Sequence, residues 1–172
     1  MPGASSRRDP RDEPPLADSE PRDEPPLVDS EPWGELPLLV DTSAWSRAHH
    51  PSVREPWKRA LLADRLRISP AVRLEILLSA RDGYSFDTLA ESLSALRPAP
   101  LTTAVIRAAE SAMRMLAHRS AGAQRIAIVD YLVAAAAQET GVAVLHYDRD
   151  YDTLSEIMAF ESAWLAPPGS LP

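Results

Sequence analysis

The chain has 172 residues, 45% of them apolar, enough for one compact domain with a hydrophobic core. It contains no cysteine, which excludes a disulfide framework and a thiolate zinc site, and no run approaches the ~20 apolar residues of a membrane span. Most of the net charge of −7 lies in residues 1–35, which carry four Arg against ten Asp or Glu; the nearly balanced remainder is compatible with a polyanionic substrate but is no basic-patch signature.

Residues 1–35 also hold eight of the 17 prolines and an 11-residue tandem repeat, RDEPPLADSEP (11–21) followed by RDEPPLVDSEP (22–32). Proline density and charge prevent a packed core here, so this span reads as a disordered acidic tail. An interaction arm is one use for it; composition favours a dispensable extension. It has no apolar stretch of the kind a secretory signal needs, and with the absence of cysteine this fits an expected cytoplasmic location.

The folded domain is expected over 36–168. LPLLV (36–40) is a short apolar run that ends in Asp41 and reads as a buried strand, with Thr42 and Ser43 able to cap a helix start. Residues 53–65 predict a helix and 66–68 a second strand. Ser69 and Pro70 form a strong helix start, and that helix runs to about Arg81, where Asp82 and Gly83 end it. Helices follow over 85–96, stopped by Pro98 and Pro100, and from Thr102 or Thr103 to about His118. After a flexible break at 120–124, Asp130–Thr140 is an alanine-rich helix with Gly141 placed as its C-terminal cap. A strand over 142–147 ends beside Asp148, and a short helix near 153–158 and a strand near 162–165 complete the domain. Strands alternating with helices imply an α/β fold with a central parallel sheet and helices on both faces.

Four acids stand out because each adjoins or interrupts an apolar run, where an unpaired carboxylate is costly to bury: Asp41, Glu75, Asp130 and Asp148. Asp41 and Asp148 sit just past strand ends, where ligand sites form in open α/β sheets. Each has a local reading as well. Asp130 fits a helix N-cap, Asp41 can accept backbone N–H groups of the turn at Thr42, Glu75 can reach past its helix to solvent, and Asp148 and Asp150 fit turn residues. Ser43 fits a cap better than a nucleophile. Together, however, four clustered carboxylates repel one another by about 1–4 kcal/mol per pair at 4 Å, and a divalent cation removes that repulsion. Hard oxygen ligands select Mg²⁺ or Mn²⁺, which can activate water for phosphodiester hydrolysis. The four histidines show no metal-ligand spacing, and His146 reads as structural.

LLVDTSAW, the Glu of AVRLEIL, IVDYLVAAAAQETGVAVLHYDRDYDTL and the closing WLAP resemble a PIN-domain ribonuclease, closest to the VapC-type toxins of bacterial toxin–antitoxin pairs. The resemblance covers about 36–168. It implies a PIN-like fold with a central parallel β-sheet and a Mg²⁺-dependent endoribonuclease, Mn²⁺ substituting, that acts on tRNA or other structured RNA. It implies Asp41 and Asp130 as principal metal ligands, with Glu75 and Asp148 completing the acidic pocket and Asp150 contributing. Ser43 would bond near the metal or its ligands, and Arg125 would touch phosphate or fix a carboxylate. A homodimer and a small VapB-like antitoxin are implied partners. The long acidic tail departs from the family pattern.

Two other functions fit an Asp at the end of the first strand. A phosphatase or phosphoacceptor domain needs a lysine near that Asp and, for the phosphatases, a second Asp where this chain has Ser43; its single lysine, Lys58, falls in the helix after strand one. A PIN-like scaffold that binds without cutting needs no intact acids.

Overall fold

A computed structural model describes residues 32–172. The tandem repeat and nearly all of the expected tail lie outside the described residues. In chain order the elements are β1 (Leu38–Val40), α1 (Thr42–Trp45), α2 (Pro51–Leu62), β2 (Leu66–Ile68), α3 (Pro70–Leu78), α4 (Gly83–Leu93), β3 (Arg97–Pro98), α5 (Thr103–Arg119), α6 (Ile128–Thr140), β4 (Ala143–His146), α7 (Asp150–Ser155) and β5 (Glu161–Trp164).

The strands form one parallel sheet in the order β3-β2-β1-β4-β5. Successive strand residues point to opposite faces, yet every residue of β1 and of β4 is buried, so helices cover the sheet on both sides. The expected α/β architecture, a central parallel sheet with helices on both faces, is therefore present. The direction of chain progression reverses at β1: β2 and β3 extend the sheet on one side, β4 and β5 on the other. The crevice between the ends of β1 and β4 is the switch point where doubly wound sheets place ligands.

Local sequence explains the helix boundaries. Ser69 accepts the Val72 N–H at 3.2 Å with Pro70 in the first turn of α3, and Asp82 and Ser85 cap α4 reciprocally. Gly141 closes α6 at a φ of +64°, a left-handed conformation that glycine adopts without a Cβ penalty. The alanines at 134–137 are fully buried, and their small side chains let α6 pack closely in the core. The break at 120–124 is a hydrogen-bonded turn tied to α6 by Tyr131, whose hydroxyl donates to the Gln124 carbonyl at 3.1 Å.

Three features differ from expectation. Where the sequence predicts only a proline stop, Arg97–Pro98 form β3; Pro98 lacks an N–H but lies on an edge strand, where none is needed on the open side. The helix expected near 153–158 begins earlier, at Asp150, and so turns Tyr151 inward. Packing also reaches beyond 36–168 at both ends. Trp33 is buried and donates its indole N–H to the Leu165 carbonyl at 3.1 Å, and Leu171 is buried with its N–H on the Tyr147 hydroxyl at 2.7 Å. Among the described residues no helix is long and apolar enough to cross a membrane.

Candidate active site

The residue after β1 and the residues after β4 are joined at the switch point. Asp41 donates its N–H to the Leu145 carbonyl at 3.0 Å, extending the β1–β4 pairing by one bond. Its side chain caps α1: Oδ2 accepts the Ser43 N–H at 2.9 Å and the Ser43 hydroxyl at 2.5 Å. Ser43 Oγ in turn accepts the Tyr147 N–H at 2.8 Å, which straps the start of α1 to the end of β4. The capping role expected of Asp41 is present and uses Oδ2, which leaves Oδ1 facing inward.

Oδ1 of Asp41 accepts the Tyr151 hydroxyl at 2.9 Å, and the same hydroxyl lies 3.4 Å from Oδ1 of Asp130. Asp130 is in the first turn of α6 but is not its cap; that position is Ala127, which makes no side-chain capping bond. Half-buried, with Asp41, Asp148 and Asp150 nearby, its carboxyl is pushed up to about 7, chiefly by desolvation and then by those three charges. Asp150 is shifted upward too, by desolvation and by Asp148. Asp148 accepts the Asp150 N–H at 3.0 Å, so it shapes the first turn of α7 while its charge acts on Asp130.

The outlying expected residues sit differently. Glu75 is exposed on α3 and accepts the Thr42 hydroxyl, so it attaches to the site through the neighbour of Asp41. Arg125 is exposed, lies against Gly122 and makes no ion pair with these acids among the described residues. His146 is wholly buried: its Nδ1 accepts the Asp148 N–H at 3.2 Å, which leaves the Nε2 proton for Ser162 at 2.7 Å, and burial pulls its pKa down. It is a structural imidazole, as read. Lys58 is exposed on α2 and Ser43 is engaged by Asp41, so the phosphatase pattern is not assembled.

The closed cage of four carboxylates is not formed. Among the described residues no three Asp, Glu or His side chains are arranged to hold a metal ion. The Tyr151 hydroxyl lies within reach of one oxygen of each of the innermost two, Asp41 and Asp130. What the fold assembles is a pair, Asp41 and Asp130, flanked by Asp148 and Asp150 and reached by Glu75 through Thr42. Tyr151 is the residue that sequence reasoning missed; its signal was its place directly after the D-x-D pair, at a helix start.

Beside Glu75, α3 and α4 border an apolar groove of about 910 Å³ lined by Leu74, Leu78, Phe86 and Val129 among others. Leu74 and Leu78 are 67% and 86% exposed.

Residues 38–157 match the family described as PIN domain. The chain is similar to the Mycobacterium tuberculosis protein named Ribonuclease VapC18, at 40% identity over 133 residues that span 77% of this chain and 97% of the relative. It is 35% identical to Ribonuclease VapC51 of the same organism, over 77% of this chain and 96% of that one. Among solved structures, DNA-bound VapBC from Salmonella typhimurium superposes with a TM-score of 0.60 at 15% identity, covering 77% of this chain and all of the other, a likeness of fold.

Proposed function

From the premise that this chain belongs to the PIN-domain family, among the VapC ribonucleases, we propose that it cuts structured RNA such as tRNA with Mg²⁺ held between Asp41 and Asp130. It is a hydrolase of phosphodiester bonds and the toxin of a toxin–antitoxin pair. The observation that carries the metal reading is the junction at the switch point, where two carboxylates face one phenol and one of them is pushed up to about 7.

The donor chemistry fits. All available ligands are hard oxygens, and Mg²⁺ is commonly held by one or two carboxylates with water completing its octahedron, so a pair suffices. A cation there also removes the repulsion that weakens Asp130 as an acid. Bound in this place, Mg²⁺ or Mn²⁺ supplies activation of water and stabilisation of charge developing on the phosphate. The chain's own residues supply orientation. Ser43 and Tyr151 fix the Asp41 carboxylate from both oxygens, and Asp148 and Asp150 set the negative potential that attracts a cation.

The finer partner assignments follow the same reading. We propose a homodimer working in the cytoplasm, controlled by a VapB-like antitoxin. Its support is the VapBC complexes among the structural relatives and the exposed Leu74 and Leu78 beside Glu75, which offer an apolar side chain a seat at the rim of the acidic crevice. The test is cleavage of a tRNA pool by the purified protein. Cutting with Mg²⁺ or Mn²⁺ that stops with chelator and is absent in Asp41→Asn is expected; cutting that survives both contradicts the proposal.

A further inference from the structure

Tyr151 differs from the aromatic residues around it in what its polar atom touches. The ring is fully buried, with the His146 ring at 4.7 Å and Phe160 edge-on at 6.5 Å. His146 is itself pinned by the Asp148 N–H and by Ser162, so the phenol has no room to swing away. A phenylalanine would fill the same volume. Only the hydroxyl reaches Asp41.

A carboxylate has about four acceptor positions. On Asp41, the Ser43 N–H and hydroxyl take two at Oδ2, and Tyr151 takes one at Oδ1. One position remains, on Oδ1. Tyr151 has a single proton, and with that proton on Asp41 at 2.9 Å the 3.4 Å approach of Asp130 Oδ1 is to the phenol oxygen. We propose that Tyr151 is a positioning residue: its hydroxyl fixes Oδ1 of Asp41 and leaves one free lone-pair position there, so that Asp41 would enter cation coordination through Oδ1 alone. This rests on the reading of a cation held between Asp41 and Asp130. Tyr151 acts through Asp41, not on RNA, and the hydrogen-bonding partner of a metal ligand typically sets affinity by about 10- to 100-fold.

The experiment is Mn²⁺ binding by calorimetry to the full chain, its Asp41→Asn variant and its Tyr151→Phe variant, with circular dichroism on each. The unaltered chain is expected to bind Mn²⁺, Asp41→Asn to lose it, and Tyr151→Phe to stay folded while binding about 10- to 100-fold more weakly. An affinity within about twofold of the unaltered chain overturns the inference while leaving the cation reading intact, since a packing role is preserved by phenylalanine. Loss of the fold in Tyr151→Phe overturns it too, by assigning the hydroxyl to folding. No Mn²⁺ binding by the unaltered chain removes both the cation reading and this inference.

Discussion

Ser43 and Tyr147 lie 104 positions apart in the chain, yet the Tyr147 N–H donates to the Ser43 hydroxyl at 2.8 Å. That bond ties the helix after β1 to the loop after β4, and the Ser43 proton goes on to Asp41 at 2.5 Å. The same hydroxyl thus closes the switch point and orients its central carboxylate. Ser43→Ala leaves the Tyr147 N–H without this acceptor and Asp41 Oδ2 with one donor fewer. Urea denaturation should show a loss of about 1–2 kcal/mol. RNA cleavage should fall further, about 10- to 100-fold, because the orientation of Asp41 is lost as well. Equal cleavage by the variant would show that Ser43 serves the fold alone.

The pH dependence of stability should carry the signature of Asp130. Its carboxyl, pushed up to about 7, binds a proton more tightly folded than unfolded, where the ordinary value is 3.8. Its contribution to stability is therefore complete below the unfolded value and disappears as pH rises through about 7. His146 acts in the opposite sense. Burial lowers its pKa, so its contribution is present above the ordinary 6.5 and is lost as pH falls. The total slope mixes the two, but the comparison with Asp130→Asn isolates one. In chelator, the variant should gain stability relative to the unaltered chain from pH 4 to 7, by less than about 1.4 kcal/mol per unit because Asp130 is partly solvated. Mn²⁺ should stabilise the unaltered chain and not the variant. A difference that stays flat with pH would show that Asp130 is not under the strain its surroundings imply.

The acids were legible because three of them interrupt apolar runs that become strands or buried helix turns. Asp41 and Asp148 follow β1 and β4 closely, and Asp130 stands at the inward edge of α6. Glu75 followed the same logic with a different outcome. The apolar run on α3 is not all core: Leu74 and Leu78 face outward, and Glu75 is exposed with them. Tyr151 was hidden because its polar neighbours suggest a surface turn, and only the start of α7 at Asp150 directs its ring inward. Mutual distances, which separate a cage from a linked pair, are tertiary quantities that no spacing encodes.

Trp33 shows composition misleading in the same way. It follows a proline- and acid-rich stretch, yet its ring is buried and its indole N–H is bonded to Leu165, just past β5. Arg65 donates to the carbonyls of Gly34 and Leu36 and holds the intervening segment down. Trp33→Ala should cost about 3 kcal/mol, the low end for a buried tryptophan. Removing residues 1–31 should leave thermal stability and cleavage unchanged, whereas removing 1–35 should match or exceed the Trp33→Ala loss. Equal melting temperatures for the two truncations would mean that Trp33 packs without contributing.

The groove beside Glu75 permits a separation of function. Leu78 is 86% exposed and four residues from Leu74, so the two lie on one face of α3 and neither supports the core. Leu78→Asp should therefore leave the melting temperature and RNA cleavage close to those of the unaltered chain. An antitoxin segment seated on that face would lose an apolar contact and meet a buried charge in its place. Losses at central interface positions of about 2 kcal/mol or more correspond to at least a 30-fold weaker complex. The measurement is calorimetric binding of its antitoxin, paired with cleavage assays in its presence: Leu78→Asp should remain active at antitoxin concentrations that silence the unaltered chain. Full inhibition of the variant at those concentrations would place the antitoxin elsewhere and leave the groove without this role.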